Sequence, residues 1–175
     1  MGEPICIIFN PAAKGSKAER MLDRVTQLCG DAVLRSTKVR HDGTALAARA
    51  VEEGFRTIVA AGGDGTVNEV VNGIVGSDVN FGILPIGTIN VFALDLGIPM
   101  GLDKAWDVIC AGHVRPIDLP KANGHHWVQM AGVGFDAQVV EETDPEVRKN
   151  LGPLSYVLTA AMVAGRNPPP SGRSS

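Results

Sequence analysis

Apolar residues along the first two-thirds of the chain follow two different spacings. Short continuous apolar runs, such as ICIIF at residues 5–9, are typical of strands that are buried on both faces. Between these runs, apolar residues recur every three or four positions, as in helices with one buried face. The predicted strands cover residues 5–9, 33–39, 57–61 and 81–84, and the predicted helices cover 21–29, 46–51, 67–74, 90–96 and 102–111. This alternation predicts an α/β fold with a three-layer, Rossmann-like parallel sheet.

The pattern changes after Gly112, where helical spacing gives way to short apolar runs. Three further strands are predicted at 114–119, 127–130 and 134–140. Asn123-Gly124 between the first two of them is a strong hairpin signal. A last helix is predicted over about 151–165. We therefore predict an α/β domain at 1–112, an incomplete β-rich domain with a helical segment at 113–165, and a disordered tail at 166–175.

Composition and charge exclude several classes of protein. Sixteen Lys and Arg residues against 19 Asp and Glu residues give a net charge of −3, and only 5% of residues are aromatic, so no nucleic-acid-binding surface is expected. The longest apolar stretch, residues 156–165, is about half the ~20 residues of a transmembrane helix. The three cysteines show neither disulfide nor metal spacing, and we expect all three to be buried thiols in a reducing cytoplasm.

Glycine is in clear excess, with 21 in 175 residues, where about 7% is usual. Glycine-containing loops directly follow three predicted strands, at 10–16, 62–65 and 85–90. Because the carboxyl ends of parallel strands meet at one edge of a sheet, these loops should lie together. Glycine lets the backbone approach a ligand closely, and a helix N-terminus behind such a loop favours a phosphate. For the GGDG segment at 62–65 taken alone, a tight turn without a ligand is the alternative.

Polar residues accompany the GGDG loop. Asp64 inside a phosphate-binding loop would repel the phosphate unless a divalent cation lies between them, which favours Mg²⁺ at this carboxylate. An Asx-turn or a helix N-cap is the alternative for Asp64. On the following helix, Asn68, Glu69 and Asn72 lie opposite the apolar stripe. Such side chains can hydrogen-bond a ribose or a base, and a solvated helix face is the alternative.

Four segments resemble, in order, the successive motifs of the diacylglycerol kinase catalytic domain family. They are FNPAAKG at 9–15, GGDGTVNEVVNGI at 62–74, GILPIGTINVFALDLGIP at 82–99 and AGVGFDAQVV at 131–140. This family includes bacterial lipid kinases and the sphingosine kinases, and it is related in structure to the NAD kinases. The resemblance implies a nucleotide site between an N-terminal α/β domain and a C-terminal β-sandwich, with ATP as the phosphoryl donor, Mg²⁺ as its metal, and a lipid hydroxyl as the acceptor.

The resemblance also implies roles for particular residues. Those expected at the nucleotide are Asn10, Gly62, Gly63, Asp64, Gly65, Thr66, Asn68, Glu69, Gly87, Thr88 and Asn90. Asp64 is the expected metal ligand, and Asp64 and Asp136 are the expected catalytic carboxylates. The implied protein is an ATP-dependent lipid kinase of phospholipid metabolism, cytoplasmic and peripheral at the membrane. Its implied partners are a nucleotide, a lipid and, in a homodimer, a second copy of the chain.

Three departures from the family pattern affect the expected activity. Ile89 replaces a residue that is usually small, and Val91 replaces an aspartate that many members carry. The family's proposed general base lies in an Asp-Gly-Glu motif near the C-terminus of a longer protein, and this motif does not occur in the 175 residues. We therefore expect the chain alone to be inactive as a kinase. An NAD kinase-like enzyme and a non-catalytic nucleotide-binding module are the alternative functions.

Overall fold

The centre of the protein is a four-stranded sheet whose strands all run parallel. The computed structural model describes residues 3–13, 18–39 and 41–128, together with residues 139, 142, 143, 158, 159 and 162. The strands are β1 (Ile5–Phe9), β2 (Val33–Ser36), β3 (Thr57–Gly62) and β4 (Asn80–Pro85). Their order in the sheet is β2-β1-β3-β4. The chain therefore leaves β1 towards one edge and leaves β3 towards the other.

Helices cover both faces of this sheet. They are α1 (Ala18–Cys29), α2 (Asp42–Glu52), α3 (Asp64–Ile74), α4 (Val91–Asp95) and α5 (Leu102–Ala111). Residues Cys6 and Ile8 of β1 pack with α2, α3 and α4, whereas Ile7 and Phe9 pack with α1 and α5. Because successive side chains of a strand point to opposite faces, a strand between two helical layers must be apolar throughout. The predicted three-layer parallel α/β fold is thus confirmed.

Helices α2 and α3 pack against each other without a layer of large side chains between them. Gly73 of α3 lies against the first turns of α2, where an added Cβ would collide with the Thr44 carbonyl oxygen and would lie 2.8 Å from the Ala47 Cβ. Gly43, Ala47 and Ala50 are the buried residues of α2, and all three are small. The short side chains allow the two helices to approach until backbone atoms are in contact.

The described chain after α5 contains one short antiparallel hairpin, formed by β5 (Lys121–Ala122) and β6 (His125–His126). Its turn residues Asn123 and Gly124 both have positive φ, as the predicted Asn-Gly turn requires. The prediction of a strand at 114–119 is wrong, since these residues have no regular secondary structure. Val114 and Ile117 are 62% and 40% exposed, so their apolar spacing does not correspond to a buried face.

The hairpin is held by the side chain of Asn72 on α3. The Asn72 Nδ2 donates a hydrogen bond to the His126 carbonyl oxygen at 2.8 Å, and the His126 N–H donates to the Asn72 Oδ1 at 3.0 Å.

The chain separates into two compact units, Met1–Gln129 and Met130–Ser175. The hairpin therefore belongs to the same unit as the sheet, and the domain boundary expected near 113 stays a prediction.

Most of the predicted C-terminal features fall outside the described residues. These are the greater part of the strand at 134–140, most of the helix at about 151–165, and the tail at 166–175. Val139 is the described member of the first of these stretches, and its carbonyl oxygen accepts a helical hydrogen bond from the Thr143 N–H at 3.1 Å. The predicted strand is therefore wrong at Val139.

Two of the three cysteines are buried as predicted. Cys6 and Cys29 lie in the core, and burial raises the pKa of each thiol to about 11. The prediction is wrong for Cys110, which is exposed. On α5 the buried residues are Leu102 and Ala105, and Cys110 lies near the solvent-exposed end of the helix.

Candidate functional site

The connections after β1 and β3 leave the sheet at a point where the strand order reverses. These two strands are neighbours and pair from Ile5↔Thr57 to Phe9↔Ala61. From β1 the chain continues to β2, and from β3 it continues to β4 on the other side. In open parallel sheets, the diverging connections leave a crevice at the carboxyl ends of such strands, and this crevice is where ligands bind. The loops beginning at Asn10 and Gly63 line this position.

Asn10 spans the crevice between these loops. Its Nδ2 donates a hydrogen bond to the Thr66 Oγ1 at 2.9 Å, and its backbone N–H donates to the Ala61 carbonyl oxygen at 2.9 Å. Its Oδ1 accepts a hydrogen bond from the Ala12 N–H at 2.9 Å. The half-buried amide of Asn10 thus links the loop after β1 to the first turn of α3.

Helix α3 begins directly at the end of β3, and its N-terminus faces the crevice. Gly63 is the N-cap residue, in an extended conformation, and it supplies no side-chain cap. The first helical hydrogen bond runs from the Val67 N–H to the Gly63 carbonyl oxygen at 3.1 Å. The aligned peptide dipoles give this end of α3 a partial positive charge, which attracts anions.

The glycines of the GGDG segment differ in what surrounds them. A Cβ on Gly62 would collide with the Thr66 side chain, so packing requires glycine there. A Cβ on Gly65 would have no neighbour within 4 Å, and Gly65 is exposed on the first turn of α3. Glycine within a helix costs about 0.5–1 kcal/mol relative to alanine. Nothing in the described part of the chain explains glycine at position 65.

The loop after β4 is joined to the loop after β3. The N–H groups of Ile86 and Gly87 donate to the Gly62 carbonyl oxygen at 3.2 and 3.1 Å, and the Asn90 Nδ2 donates to the same oxygen at 2.8 Å. An added Cβ on Gly87 would collide with the Gly63 Cα. The two glycine loops are therefore in backbone contact, as the sequence predicts from their positions after neighbouring strands.

Asn90 is the most deeply buried polar residue of the second loop, with 1% of its surface exposed. Its backbone is left-handed, with φ of 59°. Its Oδ1 is buried and has no hydrogen-bond partner among the described residues. Thr88 and Ile89, in contrast, lie on the exposed part of the same loop. Asn90 therefore holds the buried side of the loop through its hydrogen bond to the Gly62 carbonyl oxygen, while Thr88 lies on the exposed side.

The predicted polar face of α3 makes three different kinds of contact. The Glu69 carboxylate accepts hydrogen bonds from the backbone N–H groups of His41 and Gly43. Asn72 holds the hairpin. The Oδ1 of Asn68 is buried and has no partner among the described residues, so it retains the capacity to accept a hydrogen bond. Of these side chains, Asn68 best fits the predicted contact with a ligand.

The predicted site residues are thus partly brought together. Direct contacts connect Asn10, Gly62, Gly63, Thr66, Gly87 and Asn90. Asp64 and Gly65 form the first turn of α3, Asn68 and Glu69 follow on the second, Thr88 lies on the outer loop, and Asp136 lies outside the described residues. Sequence reasoning missed the loop after β2, described at residues 37–39 and 41, although the carboxyl end of β2 lies at the same sheet edge. The signal that could have indicated it is the HDG segment at the start of α2.

Two other features lie apart from the glycine loops. A groove of about 800 Å³ runs between the outer edge of β4 and residues 113–119, and none of the predicted site residues lines it. Across the residues that the structure describes, no group of three or more His, Cys, Asp or Glu side chains is arranged to hold a metal ion.

Comparison with known proteins is consistent with this geometry. The family model described as diacylglycerol kinase catalytic domain matches residues 4–122. A diacylglycerol kinase of Staphylococcus saprophyticus is 35% identical over 158 residues, and one of Bacillus subtilis is 36% identical over 159 residues. Each alignment covers 87% of this chain and 52% of the relative. The chain thus spans about half the length of these curated relatives.

A solved structure gives the same result at the level of the fold. The crystal structure of a diacylglycerol kinase from Bacillus anthracis superposes with a TM-score of 0.72 at 30% identity, covering 90% of this chain and 53% of that chain. None of the helices in the described part of the chain has the length and apolar character needed to cross a bilayer. On the matched domain and the shared fold, this chain belongs to the diacylglycerol kinase catalytic domain family.

Proposed function

We propose that this chain is the nucleotide-binding part of a lipid kinase that transfers the γ-phosphoryl group of ATP to a lipid hydroxyl. The single observation that carries the proposal is the contact between two glycine loops, at Gly63 and Gly87, beside the N-terminus of α3. Backbone amides and a helix dipole can there neutralise the charge of a phosphate. Names of the relatives support the kinase class.

In this proposal the phosphates of ATP lie over the first turn of α3, next to Gly63 and Gly65. The open space beside Gly65 is the room that such a ligand would occupy. Asn10 and Thr66, which are hydrogen-bonded to each other, form the β1 side of the site. The buried Oδ1 of Asn68 accepts a hydrogen bond from a ribose hydroxyl or a base amino group, since it lacks another partner among the described residues.

Magnesium fits this site with Asp64 as its protein ligand. Mg²⁺ is usually held by one or two carboxylates together with substrate phosphates and water. Bound there, the ion would neutralise charge on the transferring phosphoryl group. Asp64 on the first turn of α3 would then hold the metal, and the backbone of Gly63 and Gly65 would orient the phosphates.

The catalytic roles follow from what phosphoryl transfer requires. The acceptor hydroxyl must be aligned with the γ-phosphate, and a group must accept its proton. We assign electrostatic roles to Asp64 and Asp136, and we place the general base outside these 175 residues, in the half of the relatives that this chain does not span. On this proposal the acceptor is a diacylglycerol-like or sphingoid lipid, reached by a cytoplasmic, peripheral and homodimeric enzyme.

Two measurements test the proposal. Titration calorimetry of the 175-residue chain should show binding of ATP with Mg²⁺, and its absence would remove the nucleotide site. A chimera that joins this chain to the remaining half of the Bacillus subtilis relative should phosphorylate diacylglycerol in mixed vesicles, as detected by mass spectrometry. Asp64→Ala in the same chimera is the matched control and should lose this activity. Phosphorylation of NAD instead of the lipid would contradict the lipid acceptor, and ATP binding without any product would favour a non-catalytic module.

A further inference from the structure

The carboxylate of Glu69 is engaged by the backbone of a neighbouring helix. Its Oε1 accepts a hydrogen bond from the His41 N–H at 3.2 Å, and its Oε2 accepts one from the Gly43 N–H at 3.1 Å. His41 is the N-cap residue of α2 and supplies no side-chain cap of its own. A carboxylate from α3 therefore occupies the position that an N-cap side chain usually takes.

A second hydrogen bond between α2 and α3, and the close approach of the two helices at Gly43, make this contact specific. The Thr44 Oγ1 donates a hydrogen bond to the Glu69 carbonyl oxygen at 2.9 Å. An added Cβ on Gly43 would lie 2.7 Å from the Glu69 Oε2 and 2.9 Å from the Glu69 Cβ, which is closer than real Cβ contacts. Glycine at position 43 is therefore required for the carboxylate to reach the N-terminus of α2.

Glu69 contacts the loop after β2 at its last residue, His41, while the Lys38 and Val39 N–H groups of the same loop donate hydrogen bonds to the Asp42 Oδ2. This loop starts beside the crevice, because the Thr37 N–H donates to the Phe9 carbonyl oxygen at 2.9 Å, and Asn10 follows Phe9 directly. At its other end, His41 adopts a left-handed backbone with φ of 68°. A residue other than glycine rarely stays in this conformation unless its surroundings hold it there. The hydrogen bond from His41 to Glu69 provides such a restraint.

We propose that Glu69 is a positioning residue that fastens His41, at the end of the loop after β2, to α3 and so makes the described residues of this loop, 37–39 and 41, a fixed wall of the nucleotide crevice. The inference rests on the proposed function, since it assigns Glu69 a role next to the nucleotide. Under this proposal the Glu69 carboxylate does not contact the nucleotide, because both of its oxygens accept hydrogen bonds from the N-terminus of α2. The negative charge also interacts favourably with the positive end of the α2 dipole.

Four variants test this role through backbone exchange and ATP affinity. Glu69→Ala removes both acceptors, Glu69→Gln keeps one uncharged acceptor oxygen, and Gly43→Ala displaces the carboxylate without altering it. Glu52→Ala removes an exposed carboxylate of the same charge from the far end of α2 and serves as the matched control. The rate of hydrogen exchange at the His41 and Gly43 amides measures whether their hydrogen bonds to residue 69 are formed. Calorimetry with ATP and Mg²⁺ measures the affinity of the crevice for the nucleotide.

We expect exchange at the two amides to rise at least tenfold in Glu69→Ala and in Gly43→Ala, with ATP affinity falling by about the same factor. Glu69→Gln should recover much of both properties, and Glu52→Ala should change neither. Unchanged exchange in Glu69→Ala would overturn the cap. Loss of affinity in both Glu69 variants with full affinity in Gly43→Ala would show direct contact with the nucleotide and would overturn the positioning role.

Two further outcomes separate this inference from the proposed function. If the wild-type chain fails to bind ATP, the proposed function and the role at the crevice both fail, while the exchange experiment still decides whether Glu69 caps α2. If Glu69→Ala does not fold, Gly43→Ala and Glu69→Gln carry the same comparison. If Gly43→Ala melts at the same temperature as the wild type but binds ATP more weakly, Glu69 positions the loop and does not merely stabilise the fold.

Discussion

Substitution of Gly65 by alanine should separate ligand binding from folding. Gly65 is an exposed residue on the first turn of α3, and a Cβ placed on it meets no other atom within 4 Å. The methyl group therefore creates no clash in the free protein. Alanine also loses less backbone entropy than glycine on entering a helix. We expect Gly65→Ala to fold normally and to be slightly more stable than the wild type.

The magnitudes follow from general values applied to this position. Replacing a helical glycine with alanine contributes about 0.5–1 kcal/mol, which corresponds to a rise of about 1–4 °C in the melting temperature for a chain of this size. A hydrogen bond to a charged group contributes about 1.5–3 kcal/mol, so the loss of one amide-to-phosphate contact weakens binding about 10- to 150-fold. Stability and affinity should thus change in opposite directions.

Calorimetry with ATP and Mg²⁺ and thermal unfolding of the free chain measure the two effects. Gly101→Ala is the matched control, because Gly101 also has open space around its Cβ position and is the N-cap residue of a different helix, α5. It should leave the affinity unchanged. Gly73→Ala places the same methyl group elsewhere on α3 against backbone of α2, and overpacking there should cost about 1–3 kcal/mol. Full ATP affinity in a folded Gly65→Ala protein would refute phosphate binding at the first turn of α3.

Three further predictions concern Asp64, the thiols and the carboxylate of Asp42 at the start of α2. Asp64→Asn should weaken ATP binding much more with Mg²⁺ than with a chelator, and equal losses in calorimetry would indicate a structural role. A thiol reagent at pH 8 should modify Cys110 rapidly but not Cys6 or Cys29, because burial raises the pKa of both to about 11; fast reaction of all three would contradict the buried positions. Backbone hydrogen bonds lower the pKa of Asp42 below its ordinary 3.8, so its stabilising contribution is present above that pH and is lost as the pH falls below it. Acid unfolding curves of Asp42→Asn and wild type should therefore converge below that pH, and a constant difference would contradict this.

The sheet and its helices could be predicted because each element is specified by local spacing. Continuous apolar runs gave the strands, and Asn-Gly gave the hairpin turn. Residues 114–119 show the limit of such reasoning. Alternation indicates which side chains share a face, but a strand forms only where a neighbouring strand supplies hydrogen bonds. In the described part of the chain no strand pairs with the outer edge of β4, and Val114 and Ile117 remain exposed.

The site could be predicted only in part for a related reason. Positions after consecutive strands follow from topology, so the meeting of Asn10, Gly63 and Gly87 could be expected. The contacts of Glu69 with His41 and of Asn72 with His126 join residues that are 28 and 54 positions apart. They depend on how closely α2 and the hairpin approach α3, which no pattern within one segment specifies. A polar helix face thus divides into structural and ligand-facing side chains only once its neighbours are known.

The glycine contact between α2 and α3 has a mechanical consequence for the crevice. Side chains packed between two helices can change rotamer and repack. At Gly73 the contact is made by backbone atoms, which have no such freedom. The two helices should therefore move as one rigid unit, and the loops at their N-termini should move with them. Binding of a nucleotide in the crevice is then expected to leave the spacing between α2 and α3 unchanged.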